Sequence, residues 1–73
     1  MATVAEIQAQ LDTQGFGKKI VILKKFTVST TDTWYCVAGI ASGLPAGRNR
    51  WVTSTNTDTA SQQATSITNA MTA

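Results

Sequence analysis

Lys18-Lys19-Ile20-Val21-Ile22-Leu23-Lys24-Lys25 limits the folds open to this chain more than any other segment. Read as a strand, its side chains alternate between two faces. Lys18, Ile20, Ile22 and Lys24 share one face; Lys19, Val21, Leu23 and Lys25 share the other. Both faces are thus apolar in the middle and cationic at the ends, whereas a strand with one buried face alternates apolar with polar. A chain of 73 residues has little material with which to bury both sides of its own sheet. The expectation is that another protein subunit covers part of the second side.

The length allows one small domain spanning residues 1–73. Domains near this size bury only about 60% of the surface their unfolded chains expose, and disulfides, metals or oligomerisation usually supply the missing stability. Cys36 is the lone cysteine and there is no histidine, so an internal disulfide is excluded and a zinc site lacks ligands. Oligomerisation remains, or else an unusually good small core. Charged residues make up 14% of the chain, against about 25% in typical soluble domains. Thirteen threonines and five serines stand in their place, which suits surfaces packed against other copies or partners. Residues Met1 to Glu6 lack a cationic segment followed by an apolar run, and no apolar stretch approaches the roughly 20 residues of a membrane span. The reading is a soluble protein, made in a cytoplasm and without a membrane partner.

Thr3 with Glu6 forms a capping-box pattern, and Val4, Ile7 and Leu11 follow at helical spacing, giving a helix over about residues 3–14 that Gly15 and Gly17 end. Lys18–Ser29 is the first strand, Thr30–Thr33 a hairpin loop, and Trp34–Ala41 a second strand apolar on both sides. Pro45 and Gly47 fit a type I turn before a third strand, Arg48–Thr55. Thr59 with Gln62 opens a last helix whose stripe, Ala60, Ala64, Ile67 and Met71, is narrow. Its Thr and Ser residues are mediocre helix formers, so it needs a surface to dock on. The fold class is α+β: a three-stranded antiparallel meander flanked by an N-terminal and a C-terminal helix, in the order α-β-β-β-α. Two such helices, side by side, can cover one face of the sheet.

Nothing in the sequence argues for catalysis. The carboxylates Glu6, Asp12, Asp32 and Asp58 are dispersed, and no pair is placed for acid–base work. Cys36 sits mid-strand and reads as a buried or interface thiol. Gly15-Phe16-Gly17-Lys18-Lys19 has phosphate-loop composition but follows a helix instead of opening one. The expectation is no enzyme, no cofactor and no metal. The cations Lys18, Lys19, Lys24, Lys25, Arg48 and Arg50 read as a basic rim around the interface. With Trp34, Tyr35 and Trp51 they also support an alternative, a nucleic-acid-binding module using a basic and aromatic sheet surface.

The short, Thr/Ser/Ala-rich, low-charge, His-free composition resembles that of small structural proteins of tailed bacteriophages, such as decoration, head–tail or tail components. That resemblance implies a many-copy virion protein made in the host cytoplasm; the alternative is a cytoplasmic module. Independently of it, the partner interface is assigned to Val21, Leu23, Tyr35, Val37 and Trp51. Ile20, Ile22, Phe26, Val28 and Ile40 are assigned to the helix-facing side, although the inverted assignment also fits the pattern.

Overall fold

Both helices begin as their capping sequences specify. The computed structural model describes residues 2–39, 42–44 and 48–73. In α1 (Val4–Thr13) the Glu6 amide donates to Thr3 Oγ1 at 3.2 Å, and the Thr3 amide donates to the Glu6 carboxylate at 2.9 Å. Thr59 and Gln62 repeat the arrangement at the start of α2 (Ala60–Thr72), at 3.2 and 2.9 Å. Each reciprocal pair satisfies amides that a helix start leaves without an intrahelical partner. At the far end of α1, Gly15 takes a φ of 88°. The Phe16 amide then donates to the Leu11 carbonyl at 2.7 Å and the Gly15 amide to that of Asp12 at 3.0 Å, closing the last turn and laying Phe16 against the core. Gly17 serves a different need. A Cβ there would run into the Asp12 side chain and come within 2.7 Å of its Cα, so only glycine lets the chain double back this closely.

The sheet is an antiparallel meander in the order β1-β2-β3, with β1 at Ile20–Val28, β2 at Thr31–Ala38 and β3 at Asn49–Thr55. The α-β-β-β-α order read from the sequence is the order of the structure. Several boundaries differ: β2 ends at Ala38 with Gly39 outside it, β3 begins at Asn49 and not at Arg48, and the start of the sheet is changed more. Lys18 and Lys19 belong to the turn before β1, where the amides of Lys19 and Ile20 both donate to the Phe16 carbonyl at 2.9 Å. The β1–β2 connection is not a loop over Thr30–Thr33: Val28 pairs with Thr31, leaving only Ser29 and Thr30 to turn the chain. Ser29 accordingly adopts a φ of 56°, positive at the first central position of the turn. β2 therefore starts at Thr31 and carries Asp32 into the sheet. The expected end of the second strand at Ile40 and Ala41, the helix-facing place of Ile40, and the turn at Pro45 and Gly47 lie outside the described residues.

One local feature reorganises β1. Ile22 stands opposite Cys36 and Lys24 opposite Tyr35, so Leu23 is an extra residue, a β-bulge. Strict alternation assigned Phe26 and Val28 to the same side as Ile20 and Ile22. The bulge reverses the alternation beyond it. Ile20 and Ile22 are buried, Lys25 turns towards the helices opposite Trp34, and Phe26 and Val28 point the other way.

The two helices pack against each other over one face, α1 nearest β1 and α2 nearest β3. Ile7 and Leu11 from α1 and Ala64, Ile67 and Met71 from α2 close on Ile20, Ile22, Trp34, Cys36, Ala38 and Val52 from the sheet. Trp34 is wholly enclosed there. In α2 the hydroxyls of Thr65, Ser66, Thr68 and Thr72 donate to carbonyls four residues back, at 2.8–3.2 Å. A Thr- and Ser-rich helix thereby satisfies its polar groups internally and can dock. No helix among the described residues is long and apolar enough to cross a membrane.

The bulge makes a sharp deletion test. Removing Leu23 leaves Lys24 opposite Tyr35 in direct succession to Ile22 opposite Cys36, so that variant folds with a thermal midpoint within about 4–8 °C of the parent, or roughly 1 kcal/mol. Removing Thr27 instead turns Phe26 inward and Lys25 outward, and its midpoint falls well below that of the Leu23 deletion. Thermal unfolding followed by circular dichroism distinguishes the two.

Candidate protein-interaction face

Among the described residues, nothing covers the face of the sheet away from the helices. Val21, Leu23, Phe26, Val28 and Trp51 stand on it with relative exposures of 46, 62, 44, 66 and 50%. Tyr35 and Val37 lie between them, half-buried by their neighbours. All five residues expected at the partner interface (Val21, Leu23, Tyr35, Val37 and Trp51) fall on this side, joined by Phe26 and Val28, which the bulge delivers to it. The rings of Phe26, Trp51 and Tyr35 form one cluster across the three strands, with centroids 5.4 Å apart for Phe26–Trp51 and 4.9 Å for Tyr35–Trp51. Asn49 Nδ2 donates to the Tyr35 hydroxyl at 2.5 Å and fixes the polar end of that ring. About half of each large side chain remains in water even so. Covering the remainder is worth about 1 kcal/mol per side chain.

The six cations do not form one rim. Arg48 and Arg50 lie on the helix side of β3, where each Nη1 donates to the Ala70 carbonyl, at 3.2 and 2.9 Å. α2 has no basic residue in its own last turn, and these two arginines supply positive charge to its C-terminal carbonyls. Lys25 Nζ donates to the Ala2 carbonyl at 2.6 Å and lies 3.8 Å from Asp32 Oδ2. Lys24 alone of the strand cations sits in the open row, opposite Tyr35, with Lys18 and Lys19 exposed in the turn before β1. Side-chain carboxylates are absent from the open face. Glu6 and Asp12 are on α1, Asp32 is buried on the other side, and Asp58 accepts from Ser54 Oγ at 3.1 Å.

Asp32 ties the hairpin to the helix layer. Its carboxylate, fully buried, accepts from Thr27 Oγ1 at 2.5 Å and from Gln63 Nε2 at 3.1 Å. Burial pushes its pKa up, but the Thr27 and Gln63 hydrogen bonds, with Lys25 beside it, more than offset this and hold it below the ordinary carboxylate value. Gln63 Nε2 also donates to the Thr55 carbonyl at 3.0 Å. Gln63 lies outside the apolar stripe read from the sequence, and its only signal there was a polar residue beside Ala64. Cys36 is enclosed next to Trp34, and burial pushes its thiol up to about 12.

Among the described residues there is no pocket and no cluster of three or more His, Cys, Asp or Glu side chains able to hold a metal ion. Comparison of the chain with protein-family models, with curated proteins and with solved structures returned no match.

The buried ionisable groups set two limbs of a pH–stability profile. Asp32 has a depressed folded pKa, so the unfolded chain takes up its proton first as pH falls. Its contribution is complete above about pH 4 and is lost at lower pH, as the folded pKa is passed. Asp32→Asn should flatten that acid limb while lowering stability at neutral pH. Glu6→Gln removes the other carboxylate held low, by the Thr3 amide first and its hydroxyl second, and should leave most of the limb in place. The raised Cys36 thiol acts in the opposite direction. Stability is complete below the ordinary thiol value of 9.0 and declines as pH rises towards about 12, because the unfolded thiol ionises first. Cys36→Ala should remove this alkaline decline, and urea midpoints measured across pH check both limbs.

Proposed function

We propose that this chain is a non-enzymatic structural subunit whose open sheet face is covered by another protein in a larger assembly. The observation that carries the reading is the one-sided distribution of large apolar residues. The helix side is closed over a complete core, while five large apolar side chains and a three-ring cluster remain on the other. A contiguous apolar surface of this kind, with aromatic anchors at its centre, has the make-up of a protein contact surface. Lys24 within it and the absence of carboxylates favour a partner that brings an acidic group to the face. The composition supports a finer version, a small many-copy virion component of a tailed bacteriophage, made in the host cytoplasm.

The ring cluster favours a second reading, a single-stranded nucleic acid stacked on Phe26, Tyr35 and Trp51. That reading has lost its arginines to the C-terminus of α2 and Lys25 to Asp32 and Ala2. Three lysines are left to it.

Leu23→Asp with Val28→Asp alters the two most exposed large side chains, so the variant should keep its circular dichroism spectrum and lose the larger assembly built through the open face, whatever pairing persists elsewhere. Iodide quenching reports the contact directly. Trp34 is enclosed and silent throughout, whereas Trp51 should be quenched in the free subunit and protected in the assembly. Assembly unchanged by the two aspartates would overturn the proposal. Binding of single-stranded DNA or RNA that quenches Trp51, weakens steeply with salt and disappears on Lys18→Ala, Lys19→Ala and Lys24→Ala would install the second reading.

A further inference from the structure

The two edges of the sheet are treated differently by the sequence. On β1, Gln8 of α1 reaches across to the outer backbone: its Nε2 donates to the Ile20 carbonyl at 3.0 Å, and its Oε1 accepts from the Ile22 amide at 3.3 Å. The side-chain amide thus occupies the place that a neighbouring strand would take. Further along, the same edge carries the Leu23 bulge and the adjoining Lys24 and Lys25. Side-chain cover, bulges and lysines are three devices that keep an edge from recruiting another strand.

β3 has neither bulge nor lysine, and among the described residues side-chain cover reaches only its Thr55 end, through Gln63. The Arg48 carbonyl accepts from the Ala38 amide and the Asn56 amide donates to the Thr30 carbonyl. Both even-numbered residues therefore face β2, and by the two-residue repeat the amides and carbonyls of Asn49, Trp51, Thr53 and Thr55 point outward. Of these, the Thr55 carbonyl is engaged by Gln63 Nε2 and by the Asp58 amide. Among the described residues nothing pairs with the outward groups of Trp51 and Thr53. The strand is regular over its seven residues, contains no lysine or proline, and holds one charge, Arg50, which is committed to Ala70.

We propose that β3 pairs antiparallel with β3 of a second copy, about a two-fold axis at Val52, joining the two sheets into one of six strands. A symmetric pairing of outward residues centred there puts Asn49 opposite Thr55 of the second copy and Trp51 opposite its Thr53. Aromatic with β-branched residues is a favourable cross-strand combination. On the helix side Val52 meets its own equivalent and Arg50 meets Ser54, so no like charges stand opposite. The neighbouring layer suits the same occupant. α2 is the helix nearest β3, and its sequence, ASQQATSITNAMT, contains no charged residue. Two copies of it meet on one side of the joined sheet without repulsion. The contact is independent of whatever covers the open face.

Sedimentation equilibrium and amide hydrogen exchange on the full chain carrying Leu23→Asp and Val28→Asp test the pairing, because that background disables the open face. The expected result is a dimer in which the Trp51 and Thr53 amides become protected as concentration rises. Adding Asn49→Lys and Thr55→Lys sets like charges opposite one another twice and should weaken the dimer about ten-fold, with the subunit spectrum unchanged. Asn49→Lys with Thr55→Glu should restore it. A chain that stays monomeric to high micromolar concentration, a dimer whose Trp51 and Thr53 amides exchange freely, or one indifferent to the paired lysines overturns the proposal. Failure here leaves the open-face reading standing, since that reading is scored on the parent chain through Leu23, Val28 and Trp51 quenching.

Discussion

A single extra residue in β1 decides which side chains this sheet hides. With Leu23 inserted between the Ile22–Cys36 and Lys24–Tyr35 pairs, the two halves of the strand point opposite parities at the helices. Ile20 and Ile22 go to the core from the first half, and Lys25 goes the same way from the second. Without the bulge, Phe26 and Val28 would demand cover from two helices of 10 and 13 residues, about 15 and 20 Å long. Those helices are already filled by Trp34 and the aliphatic residues around it. The same insertion puts Lys25 within reach of Asp32 and clears Lys25 from the open face, so the acid–base pair beneath the sheet and the ring cluster above it share one origin.

Asp32 shows how such an arrangement survives. A carboxylate moved out of water costs several kcal/mol, and hydrogen bonds to a charged group return about 1.5–3 kcal/mol each. Thr27 and Gln63 supply two such bonds and Lys25 a partly exposed charge. Recovery exceeds desolvation, as the depressed pKa shows, but the net gain is smaller than either of the two opposing terms. The cluster also acts on register. Only one pairing of β1 with β2 puts Thr27 beside Asp32, and only one seating of α2 brings Gln63 to both Asp32 and Thr55. In a chain without a disulfide, the buried carboxylate ties hairpin, third strand and last helix together.

Capping boxes at Thr3 and Thr59, the glycine stop after α1 and the two-sided apolar character of the strands were legible because each depends on neighbours in sequence. Element order followed from them. The positions of Phe26, Val28 and Lys25 were not legible, since a bulge is chosen by the fit between strands and leaves no mark in a run such as Ile-Leu-Lys-Lys. The turn at Ser29-Thr30 was hidden for a related reason. It lacks the glycine or asparagine that usually marks a positive φ, and the pull of Asp32 and Trp34 into the core fixes its register instead. Arg48 and Arg50 looked like free charge because their acceptor, the Ala70 carbonyl, lies about twenty residues away.

The open face and the bare edge call for different kinds of neighbour. The charge placed in the face is Lys24, so two copies laid face to face gain no ion pair from it. The edge has the opposite property. It is nearly uncharged, its outward residues match their own symmetry mates, and the helix beside it carries no charge at all. Pairing through β3 and docking through the face use the same strand in different ways: the first engages the outward backbone of Trp51 and the side of its indole next to Thr53 of the second copy, the second the exposed ring surface that remains. A dimer formed at the edge therefore leaves both faces open and sets them side by side, doubling the apolar surface offered to a different partner without adding a contact to it.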